Sequence, residues 1–330
     1  MSAGKGPRGA PHDWRPTAAL PVLRHRARML ATARAFFAAR GVLEVETPAL
    51  SAAAATDPQI ESLCTRIAGL EGARYLSTSA EFPMKRLLAA GSGDIYQVCK
   101  VFRDGERGRW HNPEFTMIEW YRLGVDDAAL MTEVEVLAAE LLAPHRALQP
   151  AERLSYADAL RRHAGIDMHA AGEAELARAA EEHGVVCRAD LDRDARLDLL
   201  MGLVVGPRLG QGRPCFVCDY PPSQASLARV RPGPPAVAAR FELYLDGIEL
   251  ANGFHELTDS REQRARFMQD LELRRLRGQA QPGMDERLLA ALQSGMPDCA
   301  GVALGFDRLV AVALGLDRLA ASMAFSIDSA

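Results

Sequence analysis

The chain has 330 residues, of which 48% are apolar and 25% charged, and this composition is ordinary for a soluble globular protein. Its net charge of −4 argues against a large nucleic-acid-binding face, which normally needs a basic surface. No apolar run approaches the length of a membrane span and no signal peptide is visible, so we expect a cytoplasmic protein with reduced cysteines.

The N-terminal part predicts a tail, a helix and a strand. Residues 1–20 begin rich in glycine, proline and charge, and we expect a disordered tail. Apolar residues then recur at helical spacing until Gly41, where the helix should end, and a strand over 42–48 stops at proline. The helix has a long apolar face with Phe36 and Phe37 near its end, which predicts burial against a second copy in a homodimer.

The next segment, 75–88, predicts a strand, a turn and a helix. Ser79 and Glu81 stand at the start of this helix, where Ser is a good cap and an acid favours the helix dipole. Both side chains could also line a pocket.

Two strands, over 94–102 and 115–121, flank a polar loop that carries Arg103, Arg107 and Arg109. Guanidinium groups bind phosphate oxygens bidentately, so a triphosphate is a natural ligand for the loop. Glu119 and Tyr121 alternate with Trp120 and should share one face of the sheet, where they would suit an amine-bearing substrate.

Residues 126–213 show helical patterns without recognisable chemistry, and we expect a helical insertion within one catalytic domain at 21–330. Cys215 and Cys218 lack two further ligands at zinc-site spacing, so two thiols on a strand are expected there.

A hairpin is predicted over 240–257, with its turn at Asp246 and Gly247. Glu242 and Glu249 fall on its two strands and could face each other, as two oxygen ligands for Mg²⁺. Asn252 could hydrogen-bond a carboxylate, and Glu256 would suit an ammonium group.

Three segments resemble known motifs. The string F-R-D-x-E…R-x-H-N-P-E-F-T at 102–116 resembles motif 2 of class II aminoacyl-tRNA synthetases in their lysyl, aspartyl and asparaginyl form. G-x-x-x-G-x-D-R at 301–308 resembles motif 3, and the first helix and strand resemble motif 1. The resemblance implies an α+β fold, in which helices flank an antiparallel sheet, and activation of an amino acid by ATP.

The resemblance also assigns site residues. Arg103 and Arg308 would be catalytic, and Glu242 and Glu249 would bind Mg²⁺. The implied ATP-binding residues are Arg103, Asp104, Gly105, Glu106, His111, Asn112, Phe115, Glu249, Leu250, Gly305 and Arg308. The implied substrate-binding residues are Ser79, Glu81, Glu119, Tyr121, Asn252, Glu256 and Ala303. The family usually has an acid where Gly105 stands, and here the acid follows at Glu106.

Lysyl-tRNA synthetases carry an N-terminal anticodon-binding domain, whereas only some twenty residues precede the motif 1-like helix here. This difference, together with Ala225-Ser226-Leu227, Ala303 and the segment 324–328, resembles the branch of the family that modifies elongation factor P. That branch implies transfer of (R)-β-lysine or lysine to a lysine of the factor, with ATP and Mg²⁺ and without stable tRNA binding.

Three alternatives stay open. A minimal enzyme that acylates tRNA would need strong, salt-sensitive tRNA binding. A catalytically dead regulatory relative would have lost the phosphate-binding arginines. An amide-forming amino-acid synthetase would not need the acidic site of Glu256 and Tyr121.

Overall fold

A computed structural model describes residues 14–330. The helices are α1 (Leu20–Ala38), α2 (Glu81–Ala89), α3 (Asp127–Leu142), α4 (Tyr156–Ala164), α5 (Glu173–Glu182), α6 (Arg193–Leu200), α7 (Ser260–Leu276), α8 (Glu286–Gly295) and α9 (Phe306–Ala313). The strands are β1 (Leu43–Glu44), β2 (Leu50–Ser51), β3 (Cys64–Thr65), β4 (Arg74–Leu76), β5 (Ile95–Phe102), β6 (Glu114–Leu123), β7 (Glu152–Ser155), β8 (Cys215–Tyr220), β9 (Val230–Arg231), β10 (Val237–Leu245), β11 (Ile248–His255) and β12 (Cys299–Gly305).

The central sheet has the order β1-β5-β6-β12-β11-β10-β8-β7, and β9 pairs with β10. The pairs from β5 to β8 are antiparallel, whereas the outer pairs β1–β5 and β7–β8 are parallel. The α+β prediction is therefore confirmed, and the expected antiparallel sheet describes its centre but not its two edges. Strands β2, β4 and β3 form a small separate sheet.

Helices cover both faces of the central sheet. Alternate residues of β6 point to opposite faces, so Trp120 enters the core beneath α1, α3 and α9, whereas Tyr121 packs with α2 and α8 on the other side. Glu119 and Tyr121 do share a face, as their spacing predicts. The functional face is therefore the one that α2 and α8 partly cover.

The apolar face of α1 is covered within the chain. Phe36 and Phe37 are 2% and 0% exposed and belong to the main core, where Phe37 stacks on Tyr96 at a centroid distance of 4.3 Å. The prediction that these two rings are exposed and need a second copy is wrong, because α3 and the sheet already bury them.

Residues 126–213 are divided between two hydrophobic cores. Helix α3 packs into the main core and β7 joins the edge of the sheet, because the apolar residues of α3 face Trp120 and its neighbours. A second core gathers α4, α5 and α6 against β8 and β10, and its members run from Leu154 to Tyr244. We propose that the inserted unit is the narrower segment that contributes α4, α5 and α6 to this core.

Most of the predicted N-terminal tail, residues 1–13, lies outside the described residues. The remainder is bonded rather than loose, because Thr17 and Ala18 donate backbone hydrogen bonds to Ala324 and Met323. Among residues 14–330, no helix combines the length and the apolar character needed to cross a membrane.

The hairpin turn lies where predicted. Asp246 and Gly247 both have positive φ, and Leu245 pairs with Ile248, as a two-residue turn of the type favoured by Asp-Gly requires. This turn sets Glu249 opposite Tyr244, and Glu242, beyond a bulge between Leu243 and Tyr244, lies opposite Asn252, so the two acids are not directly paired.

Gly253 of β11 gives a test of how tightly this sheet packs. A Cβ at this position would lie 2.4 Å from Cζ of Phe241, a fully buried ring that cannot easily move. We expect Gly253→Ala to destabilise the protein by about 1–3 kcal/mol in chemical denaturation. Gly202→Ala is the control, since its Cβ would enter open space. Equal stability of the two variants would contradict the packing.

Candidate active site

A cavity of about 830 Å³ opens on the face of the sheet that carries Glu119. Most of the predicted site residues line it: Ser79, Glu81, Arg103, Glu106, His111, Asn112, Phe115, Glu249, Leu250, Asn252, Ala303, Gly305 and Arg308. The structure thus brings together residues that stand more than 200 positions apart in the sequence.

The remaining predicted residues do not line the cavity. Glu119, Tyr121 and Glu256 are 2%, 2% and 1% exposed and lie beneath its floor. Glu242 is likewise buried, and Asp104 accepts a hydrogen bond from the Gly105 backbone at the outer turn of the loop.

Strand pairing aligns the floor of the cavity. In the register of β6, β12, β11 and β10, Glu119 lies opposite Ala303, Ala303 opposite Asn252, and Asn252 opposite Glu242. Residues directly opposite on neighbouring strands point to the same face. The row therefore carries acids at both ends, with an amide and a methyl group between them.

Arginine and aromatic groups occupy the loop between β5 and β6. The Arg103 guanidinium lies 5.2 Å from the centre of the Phe115 ring and donates to the Thr78 carbonyl. Gly105 has φ +75°, a conformation that glycine adopts readily, and the turn carries the shifted acid Glu106 back to the cavity, 3.5 Å from Arg103. Displacing the acid by one position therefore does not remove it from the site.

Arg308 forms the opposite wall. It donates to the Glu249 carbonyl at 3.0 Å and to Nε2 of His111 at 2.8 Å. Burial and the neighbouring Arg308 lower the pKa of His111, so the imidazole is neutral and accepts this bond. Arg308 and His111 are thereby held together on one side of the cavity.

Asp307 positions Arg308. Its carboxylate is 1% exposed, accepts from the Thr116 backbone at 2.6 Å and pairs with Arg26 of α1. Three segments far apart in the sequence therefore meet at one buried charge.

Glu119 is held by three donors at the acidic end of the cavity. Ser79 donates from its hydroxyl at 2.8 Å, the Ala80 backbone at 3.0 Å and the Tyr121 hydroxyl at 2.7 Å. Burial and, to a smaller extent, the charge of Glu81 nevertheless raise the pKa of Glu119 to about 7. A cation that binds beside this carboxyl group would lower its pKa, so the group would lose its proton and become negatively charged.

Lys85 of α2 lies among the same acids. Its Nζ is 2.5 Å from Glu81 and 2.5 Å from Glu256, and the side chain is 1% exposed. Burial would lower the pKa of Lys85, but the two carboxylates raise it above its ordinary value, so the ammonium stays charged.

A model of the family described as tRNA synthetases class II (D, K and N) matches residues 12–329. The chain belongs to this family of class II synthetases. A protein of Salmonella arizonae named elongation factor P–(R)-β-lysine ligase is 50% identical over 323 residues, which cover 96% of this chain and 98% of that protein. A protein of the same name from Klebsiella pneumoniae is 49% identical over an alignment of the same extent.

The two carboxylates that the sequence suggests for a metal differ in their exposure to the cavity. Glu249 lines the cavity, whereas Glu242 already accepts from Arg240 at 2.5 Å and from the Tyr244 hydroxyl at 2.6 Å. Burial and the neighbouring Glu242 raise the pKa of Glu249, so a cation between the two acids would relieve their repulsion. No cluster of three or more metal-ligating side chains is present within residues 14–330.

Asn112 has structural partners at both ends of its amide. Its nitrogen donates to the Glu114 carbonyl at 2.6 Å, and its oxygen accepts from the Ile327 backbone at 3.0 Å. Arg107 pairs with Asp328 and Arg109 donates to the Asp317 carbonyl. The C-terminal segment therefore holds the loop between β5 and β6 in place, and a direct contact of Asn112 with ATP stays a prediction.

Sequence reasoning gave no role to Lys85 or Arg240. Lys85 stands inside the quoted segment 75–88, but the spacing from Glu81 to Lys85 by itself indicates only a surface ion pair along a helix. Arg240 lines the cavity and lies over the Tyr220 ring at 4.3 Å. Burial among carboxylates distinguishes Lys85 from the surface arginines, and a place in the cavity wall distinguishes Arg240.

The raised pKa of Glu119 makes a prediction about stability. The folded protein holds this proton until about pH 7, the unfolded chain only until about 4.5, so the contribution of Glu119 to stability falls as the pH rises between these values. The free energy of unfolding of Glu119→Gln, minus that of wild type, should therefore increase by up to about 3 kcal/mol between pH 5 and pH 8.

The measurement is thermal or chemical unfolding of both proteins at the two pH values. Glu114→Gln, on the exposed end of the same strand, is the control and should differ from wild type equally at both. A Glu119→Gln difference that does not grow with pH would contradict the prediction.

Proposed function

We propose that the chain activates (R)-β-lysine or lysine with ATP and transfers the aminoacyl group to the ε-amine of a lysine on elongation factor P. The main support is a cavity whose wall carries Arg103 and Arg308 and beneath whose floor the acids Glu119 and Glu256 are buried. Relatives that match nearly the whole chain carry names with this activity. Such a partner acts in translation, so we place the enzyme in the cytoplasm.

In the first step a carboxylate oxygen of the amino acid attacks the α-phosphorus of ATP. The bond to the β-phosphate breaks, and pyrophosphate leaves with the electron pair. Arg103 and Arg308 act by stabilising negative charge on the phosphate oxygens. Phe115 and Gly305 would bracket the adenine ring, and the neutral His111 would donate its Nδ1 proton to a terminal phosphate oxygen.

Mg²⁺ bound at Glu249 and Glu242 would neutralise charge on the phosphates. Glu242 would have to share its oxygens with Arg240 and Tyr244, so Glu249 is the stronger ligand of the two.

The amino groups of the substrate are proposed to meet the acidic floor. Glu81 reaches the cavity, while Glu119 and Glu256 act from just beneath it, with Tyr121 as a further polar group. Asn252 is the proposed partner of the substrate's carboxylate, through its amide nitrogen. The Ala303 methyl group lies between Asn252 and Glu119, where it would restrict the substrate's backbone.

In the second step the neutral ε-amine of the acceptor lysine attacks the carbonyl carbon of the adenylate. An amide bond forms, the bond to the phosphate oxygen breaks, AMP leaves, and the amine loses a proton. We assign no separate general base to this step.

The decisive experiment incubates the enzyme with ATP and α- or β-lysine, and with either elongation factor P or bulk tRNA, and follows both acceptors by intact mass. We expect one lysyl-sized adduct on the factor. Arg103→Ala should slow its formation at least ~100-fold, since a catalytic electrostatic contact contributes roughly 3 kcal/mol. Arg161→Ala, an exposed residue of α4 paired with Asp158, is the control.

Modification of tRNA without modification of the factor would favour the second candidate, a minimal tRNA-acylating synthetase. The net charge of −4 offers little for stable tRNA binding, which is why the protein acceptor is preferred.

We propose a homodimer on grounds other than Phe36 and Phe37, which the chain itself buries. Leu20, Leu43 and Leu50 are 61%, 53% and 38% exposed, and Leu43 stands in the edge strand β1. A second copy would cover these side chains and the strand edge.

Light scattering should therefore give about twice the chain mass of 35.8 kDa. Leu43→Asp should shift the protein towards monomer, whereas Leu203→Asp should not, although Leu203 is 59% exposed in the inserted segment. A wild-type monomer at micromolar concentration would refute the dimer.

A further inference from the structure

The chain uses lysine rarely. Only Lys5, Lys85 and Lys100 are lysines among its 39 basic residues. Lys100 is half exposed and pairs with Glu114 on the surface, whereas Lys85 is buried. A compact ammonium is thus retained at a buried position in a chain that otherwise uses arginine almost throughout.

The position of Lys85 requires a compact cation. Its Nζ contacts one oxygen of Glu81 and one of Glu256, each at 2.5 Å, from a helix that packs on the floor of the cavity. A guanidinium is larger and planar, and its fork favours one carboxylate in two-point contact over two carboxylates at a single point.

The charged and titratable groups around Lys85 come from four elements. They are Glu81 on α2, Glu119 and Tyr121 on β6, Glu256 immediately after β11, and Cys299 on β12. Burial raises the pKa of Glu119 to about 7 and that of Glu256 to about 8, so the cluster reaches two net negative charges only when bound cations favour the loss of both protons. A substrate with two ammonium groups would neutralise them.

We propose that Lys85 is a positioning residue that fixes Glu81 and Glu256 relative to each other and sets the cluster's charge to match a diamino acid. Lys85 contacts one oxygen of Glu81, which lines the cavity, and one oxygen of Glu256, which lies beneath its floor. It does not contact the substrate itself. The inference rests on the proposed function, because it concerns recognition of the same two amino groups.

The test is ATP–pyrophosphate exchange with a varied lysine isomer at saturating ATP. We expect Lys85→Met to raise the KM for the lysine isomer at least tenfold and to leave the KM for ATP within about twofold of wild type. Lys100→Met, which removes the exposed lysine, should match wild type in both constants.

The pH profile separates positioning from simple packing. Without Lys85, Glu81 and Glu256 repel each other and retain a proton to higher pH. The loss of kcat/KM for the lysine isomer in Lys85→Met should therefore be larger at pH 7 than at pH 9. A loss that is equal at both pH values would overturn the proposal, as would an unchanged KM.

Two further variants keep the test decisive if Lys85→Met does not fold. Lys85→Arg keeps the charge but cannot hold both carboxylates at one point, so we expect a several-fold higher KM for the lysine isomer; a wild-type KM would overturn the proposal. Lys85→Met/Glu256→Gln removes the repulsion and should restore folding without restoring the KM.

Pyrophosphate exchange by the wild-type enzyme tests the proposed function, and exchange by the Lys85 variants tests the role of Lys85. Wild-type enzyme that shows no exchange with any lysine isomer would contradict the proposed function. Wild-type exchange together with unaltered Lys85 variants would contradict the role of Lys85 alone.

Discussion

The arrangement of the site depends on the contacts that the buried carboxylate of Asp307 makes. It joins the first turn of α9 to Arg26 of α1 and to the Thr116 backbone of β6. A charge this deeply buried is stable only when it is paired and hydrogen-bonded, so the three segments must come together. Arg308 follows Asp307 directly and is thereby held against Glu249 and His111.

The cavity has basic groups in its wall and acidic groups beneath its floor. Arg103 and Arg308 line its wall, and the carboxylates of Glu119 and Glu256 lie beneath its floor. The antiparallel register accounts for the floor, because Glu119, Ala303, Asn252 and Glu242 lie opposite one another on neighbouring strands and form one row on one face. The ammonium group of Lys85 reduces the repulsion among the carboxylates of Glu81, Glu119 and Glu256.

Much of the fold was predictable from local patterns. The helices α1 and α2, the long strands and the Asp-Gly turn follow from apolar periodicity and turn chemistry, which act over a few residues. The parallel edges of the sheet and the packing of Phe36 and Phe37 inside the chain could not be predicted. Each depends on which distant element covers an apolar face, and periodicity shows only that the face must be covered.

The sequence by itself determined the identity of the chemical groups: arginines and an aromatic ring for a nucleotide, acids for amines, and three motifs of a known family in their usual order. Tertiary structure alone decided which of these groups face the cavity and which lie beneath it. Glu256 pairs with Lys85, Glu242 pairs with Arg240, and Asn112 supports the C-terminal segment. The physical reason is that burial and ion pairing depend on contacts between residues far apart in the chain, and these contacts set the charge and the reach of each side chain.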